Sequence, residues 1–177
     1  MQNEEGLVRR AQQRDQEAFA QLYEEYFDKI YRYIVLRIRN EAEAEDMTQQ
    51  VFLNVLKSIS SFKWRGVPFS SWLFRIAHNQ VVDYVRKKVR HVTVPLDQPL
   101  PDSGDSPELV AERNLDIERL LAATKQLTRS QGEVISLRFA GGLSIAEAAR
   151  VMGKSENAVK ALQHSAILAL RRIMVAE

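Results

Sequence analysis

From Phe19 onward the apolar side chains fall at Phe19, Leu22, Tyr23, Tyr26, Phe27, Ile30, Tyr31, Ile34, Val35 and Ile38. Steps of three and one wind a continuous apolar stripe around a helix. Asp15 stands where an N-cap for that helix is needed. Asn40 followed by Glu43 predicts the next start, and Ala44, Met47, Val51, Val55 and Ile59 then share one face. A loop over 60–69 comes next, and a third pattern runs from about Ser70 to Arg90. No stretch alternates with the period of a strand. The pattern predicts an all-α fold, with about four helices in each half.

The second half is punctuated by caps. Ser106-Pro107 reads as an N-cap with proline at the first helical position. Thr128 with Gln131, and Ser144 with Glu147, match capping boxes. Gly141-Gly142 ends the helix between them, because glycine accepts the left-handed conformation. Met152-Gly153-Lys154 makes a short turn, and Ser155 caps a last helix reaching about Met174. Short helix, glycine turn and longer helix form a helix-turn-helix. Ala146, Ala149, Val151, Val159 and Leu162 are its expected core.

Between the halves, residues 94–107 hold four prolines and one glycine. Proline removes a backbone donor and biases its predecessor away from the helix. The chain therefore divides into a helical domain over 1–92, a flexible Pro-rich acidic linker over 93–107, and a helix-turn-helix domain over 108–177. Charge divides the same way. Residues 1–90 carry 15 Lys and Arg against 12 Asp and Glu, 91–108 carry none against 4, and 109–177 carry 10 against 7. Two basic blocks around an acidic connector suit two modules that each meet a polyanion.

Other classes recede. The 177 residues contain no cysteine, so disulfides and thiolate metal sites are excluded. No run of roughly eighteen apolar residues suggests membrane insertion. The N-terminus lacks an apolar leader, so a cytoplasmic protein is expected. His78, His91 and His164 are scattered, and no glycine-rich phosphate loop is present. No metal, no cofactor and no catalytic constellation is expected.

In a helix-turn-helix the second helix enters the major groove. Ser155, Glu156, Asn157, Lys160, Ala161 and His164 are its candidates for base edges, and Arg171 with Arg172 for phosphates. In the first half, Arg86, Lys87, Lys88 and Arg90 form a basic run, which also suits a helix C-terminus electrostatically. Upstream, Phe62, Lys63, Trp64, Arg65, Phe69 and Trp72 interleave rings and cations. That mixture suits unpaired nucleic acid, with rings on bases and cations along the backbone. Trp72, at a helix start, reads as core; Trp64, in a polar loop, reads as a stacking platform.

These stretches resemble a known family. Glu45-Asp46-Met47-Thr48-Gln49-Gln50-Val51-Phe52-Leu53 is similar to a conserved stretch of region 2 in the extracytoplasmic-function (ECF) RNA polymerase sigma factors. So are Phe69–Asn79 and Asp83–Lys87. Leu127, Val134, Leu137, Arg138, Phe139, Gly142–Ala149, Ala158–Lys160 and His164 are similar to region 4. The stretches occur in the family's order. Leu162 and Ser165 stand where many relatives are basic, and the insert of larger sigma factors is absent between the halves. No regulatory domain is expected after Glu177.

The resemblance implies roles. Asp46, Gln49, Gln50, Phe52 and Leu53 would bind the clamp helices of core RNA polymerase. Lys63, Trp64, Arg65, Phe69, Arg75, Asn79, Arg86 and Lys87 would read and melt the minus-10 element, at an unstacking cost of a few kcal/mol. Ser155, Glu156, Asn157, Lys160, Ala161, His164 and Arg171 would read the minus-35 element. The partners implied are core polymerase (clamp helices and flap), promoter DNA and an anti-sigma factor. A helix-turn-helix regulator that works without polymerase is the main alternative, and a pure interaction scaffold is a weaker one. Because residues 1–92 carry their own apolar stripes, that fragment should unfold cooperatively by circular dichroism. A non-cooperative fragment would contradict the division into two domains.

Overall fold

Asp15 and Asn40 cap their helices. The Asp15 carboxylate accepts from the Glu17 and Ala18 amides, and Asn40 Oδ1 accepts from the Glu43 amide. A computed structural model describes residues 3–89 and 115–176. The proline-rich linker, Arg90 and the Ser106-Pro107 cap lie outside the described residues. The first half contains α1 (Glu4–Gln12), α2 (Gln16–Ile38), α3 (Glu41–Ser58) and α4 (Phe69–Val89). The second contains α5 (Leu115–Thr124), α6 (Arg129–Ile135), α7 (Ile145–Met152) and α8 (Glu156–Val175). The described residues include no strand, so the protein is all-α.

α2 organises the first half, packing on α1, α3 and α4. Leu22, Tyr26, Ile30, Ile34 and Ile38 of its stripe are buried, while Phe19, Tyr23, Phe27, Tyr31 and Val35 are partly covered. Tyr33 and Arg37 lie outside the stripe, yet both are buried. The second half covers them. α3 buries Ala44, Val51 and Val55 as its spacing requires, with Met47 packed at the edge, and Ile59 just past its end is buried too.

Both capping boxes form, at Thr128 with Gln131 and at Ser144 with Glu147. α6 widens into a π turn over Ser136–Ala140 before the glycines, a departure from simple helix. Gly153 ends α7 at φ 65°, where a side chain would be strained. In the helix-turn-helix, Ala149, Val151 and Val159 are core and Leu162 packs against it. Ala146 is exposed, and Ala148 takes the buried place. α7 meets α4 as well as α8, which selects the Ala148 side.

The two halves share one hydrophobic core. α2 packs on α6 and on the π turn, and α4 on α7. At the centre of the junction, Glu133 is only 4% exposed. Tyr33 donates to its Oε1 at 2.6 Å, and His78 Nδ1 lies 2.8 Å from the same oxygen. Arg37 Nε lies 2.7 Å from Oε2, an ion pair by distance whose alignment is poor for a hydrogen bond. Arg37 Nη1 donates to the Arg129 carbonyl at 3.1 Å, and Arg39 Nη2 to the Thr124 carbonyl at 2.9 Å. Arg39 adopts φ 57°, an unusual conformation for a side chain of its size.

Burial pushes the Glu133 carboxyl up, but the Arg37 charge and the His78 and Tyr33 hydrogen bonds outweigh it and hold the group below its ordinary value of 4.5. Burial, then the Glu133 charge, raises the Tyr33 hydroxyl. A carboxyl lowered in the folded state stabilises fully above its unfolded value and loses that contribution as pH falls through the folded value. The Glu133 contribution should therefore fade progressively as pH falls below about 5. Thermal melts across that acid range should fall more steeply for the wild type than for Glu133→Gln. Parallel curves would show that Glu133 ionisation does not stabilise the fold.

Candidate nucleic-acid interface

The loop between α3 and α4 is held from below. Gln12 Nε2 donates to the Ile59 and Phe62 carbonyls, at 2.9 and 2.8 Å. That clamp turns the loop's rings inward. Phe62 meets Trp64, Phe69 and Trp72 at centroid distances of 5.1, 5.6 and 5.2 Å. Phe69 is 1% exposed and also packs edge-on against Tyr26. Phe69 is therefore a core residue and not a surface for DNA. Trp64 is half-buried against Phe62, with its Nε1 shielded from solvent. A polar loop sequence carries no sign of this clamp, because Gln12 lies 47 residues from Ile59. Trp72 packs against the core, as expected.

The cations remain outside. Lys63, Arg65, Arg75, Asn79, Arg86 and Lys87 are all exposed. They follow the loop and one side of α4, so the rings support a rim of charge. Rings and cations thus come from the same loop and helix, but the rings pack against one another while the cations stay exposed.

On α3, Asp46, Gln49, Gln50 and Leu53 are exposed. Phe52 is 5% exposed, with its ring 4.7 Å from Tyr23 and 6.1 Å from Phe27. It supports this face from beneath and offers no surface of its own. Leu56, one turn beyond Leu53, is more exposed still and extends the apolar patch. The periodicity of α3 could have shown it, since Leu53 and Leu56 share a side.

On α8, one side is committed to the fold. Arg138 donates to Gln163 and Gln131 to Ser165, both at 2.8 Å, while Val159 and Ala166 are buried. Ser155 caps the helix through the Ala158 amide. Glu156, Asn157, Lys160, Ala161, His164 and Arg171 remain exposed, as does Ser155. This free side presents a carboxylate, an amide, an ammonium and an imidazole at the spacing of a recognition helix. Among the described residues, no group of three or more acids and histidines is placed to hold a metal ion, and no helix is long and apolar enough to cross a membrane.

Residues 22–91 match the family model of Sigma-70 region 2, and 117–170 match Sigma-70, region 4. The chain is 31% identical over 165 residues to the ECF RNA polymerase sigma factor SigX of Bacillus subtilis, spanning 90% of this chain and 84% of SigX. The chain belongs to the ECF RNA polymerase sigma factors. It is also 41% identical over 171 residues to the ECF sigma factor BldN of Streptomyces coelicolor, a match that covers 95% of this chain and 64% of BldN. The solved structure of CnrH, in complex with the cytosolic domain of CnrY, superposes with a TM-score of 0.73 at 25% identity, over 97% of this chain and 96% of that one. As an ECF sigma factor, the protein serves promoter-specific transcription initiation with RNA polymerase; nothing in these likenesses favours a regulator acting apart from it.

The sigma factor's rings and cations should separate by mutation. Phe69→Ala should cost about 3–5 kcal/mol in urea unfolding, as expected for a large buried ring. Arg65→Ala should stay within about 0.5 kcal/mol. A neutral Phe69→Ala would return that ring to the surface.

Proposed function

We propose that this ECF sigma factor is a non-enzymatic specificity subunit acting in the cytoplasm, with its contacts divided among three surfaces. The α3 face, with Asp46, Gln49, Gln50, Leu53 and Leu56, binds the clamp helices of core polymerase. Lys63, Arg65, Arg75, Asn79, Arg86 and Lys87 hold the melted minus-10 strand, and Trp64 offers the exposed part of its ring to an unpaired base. The free side of α8, from Ser155 to Arg171, reads the minus-35 duplex, and the second half also meets the flap. An anti-sigma factor is the partner that would keep these surfaces from polymerase; the similar CnrH is bound to the cytosolic domain of CnrY.

One observation carries the reading: the exposed polar groups of α8 lie on the side left free by the fold, on the second helix of a doubly capped helix-turn-helix. Two modules joined in one chain gain affinity by effective concentration when both sites are spanned. That explains how two modest DNA contacts suffice.

Fluorescence anisotropy of holoenzyme on duplex and bubble templates, across a salt series, tests the division. Lys160→Ala should weaken duplex minus-35 binding and leave the bubble unaffected. If Lys160 meets phosphate, the salt slope falls by about one unit. If it meets guanine, discrimination falls by about 1–3 kcal/mol at one base. Lys63→Ala with Arg65→Ala should do the reverse, and the defects should add within about 0.5 kcal/mol. Equal defects on both templates would overturn the assignment.

A further inference from the structure

Glu133 does not use up the positive charge at the junction. Arg37, His78, Arg86, Arg129 and Lys154 converge with it on a cavity of about 240 Å³. They come from α2, α4, α6 and the turn after α7. Val82, Val85 and Met152 give the cavity apolar walls, and Ser130 adds a hydroxyl. Glu133 is the one carboxylate in this lining. Arg37 Nε lies 2.7 Å from its Oε2, and His78 Nδ1 lies 2.8 Å from its Oε1. Arg86, Arg129 and Lys154 remain, with no acidic partner among the described residues.

Arg129 is the telling member. Its Nε and Nη2 are shielded from solvent and have no hydrogen-bond partner. A guanidinium can only donate, and donors cut off from water and left unpaired are costly. Arg37 adds a like charge next to it, since Arg37 Nη1 donates to the Arg129 carbonyl at 3.1 Å. Burial, then the Arg37 charge, lowers the Arg129 guanidinium from its ordinary value of 12.5. By itself this cation adds nothing to the fold, and a bound anion would reverse both penalties. Its charge can be specified. A carboxylate would offset one of the three unpaired cations, whereas a phosphate group carries more charge and accepts a guanidinium fork beside an ammonium. Its size can be specified too. At about 30 Å³ per water the cavity has room for about eight waters, below the roughly 300 Å³ at which sites for drug-sized ligands begin. That space suits a phosphate group with a small substituent, not a length of strand.

We infer that this cavity is a binding site for a small phosphate-bearing anion, held by Arg129 together with Lys154 and Arg86. Arg129 and Lys154 belong to none of the surfaces proposed above, and Arg86 alone is shared with the minus-10 rim. The site therefore stands independently of the DNA assignments. The anion exists as a ligand only of the folded chain, because four separate elements supply its partners. It stabilises that chain by mass action.

The test is isothermal titration calorimetry of the full chain with inorganic phosphate and with pyrophosphate, at an ionic strength fixed by sodium chloride. Each should bind at one site, pyrophosphate the more tightly. At tenfold excess over its Kd, pyrophosphate should raise the melting temperature by about 3–6 °C. Arg129→Met keeps the apolar stem and removes the charge. It should weaken pyrophosphate binding by about tenfold or more. Because the guanidinium is unpaired without ligand, the melting temperature of ligand-free Arg129→Met should not fall. Lys154→Ala, at an exposed position, should weaken binding by up to about fivefold. Lys57→Ala, exposed at the end of α3, should change nothing. Absence of saturable binding by both anions would overturn the site, and so would wild-type affinity in Arg129→Met. Should Arg129→Met fail to fold by circular dichroism, wild-type affinity in Lys154→Ala would overturn it instead. An equal loss in Lys57→Ala would reduce the site to a diffuse positive field. If Arg129→Met weakened promoter DNA binding by holoenzyme while neither small anion bound, the cavity would belong to DNA phosphate and the inference would fail.

Discussion

A carboxylate removed from water must find compensation, and Glu133 finds all of it on the other half of the chain. The effective penalty for burying such an ion is several kcal/mol. Arg37 and Tyr33 of α2 and His78 of α4 supply charge and hydrogen bonds only when the halves are docked. A buried ion pair is weak evidence of net stability, but it is demanding about geometry. Here that demand aligns α6 over α2, brings Arg37 to the Arg129 carbonyl and Arg39 to Thr124, and seats α7 on α4.

The same arrangement sorts side chains into support and contact. Gln12 draws the loop before α4 inward, and Phe62, Phe69 and Trp72 close a ring cluster beneath it. Lys63 and Arg65 stay exposed, and among the described residues no acceptor is paired with their side chains. α3 is sorted likewise: Phe52 fills the space between Tyr23 and Phe27, leaving Leu53 and Leu56 beside Asp46, Gln49 and Gln50. For an ECF sigma factor, this gives a firm scaffold under the surfaces proposed to meet polymerase and DNA.

α8 achieves the same separation by periodicity. Val159 and Ala166 face the core, Gln163 and Ser165 tie the helix to α6 and the π turn, and the remaining side faces solvent. Its start is set by Ser155, two residues after Gly153, so the first turn is placed by a cap and a left-handed glycine and not by contacts to DNA.

Local rules act over about four residues, and wherever they govern, the sequence alone determined the outcome. The N-caps at Asp15, Asn40, Thr128, Ser144 and Ser155, the stripes of α2 and α3, the all-α class and the exposed side of α8 were all legible in that way. The family motifs were legible too, because their order along the chain is itself sequence. Tertiary structure alone decided which side of α7 is buried, giving Ala148 the place expected of Ala146. It also turned Phe52, Phe69 and part of Trp64 from candidate contacts into packing. Nothing near Tyr33, Arg37 or Glu133 in the chain marks them as partners. About a hundred residues separate Tyr33 from Glu133, and burial depends on what the fold brings alongside a residue, not on its neighbours in sequence.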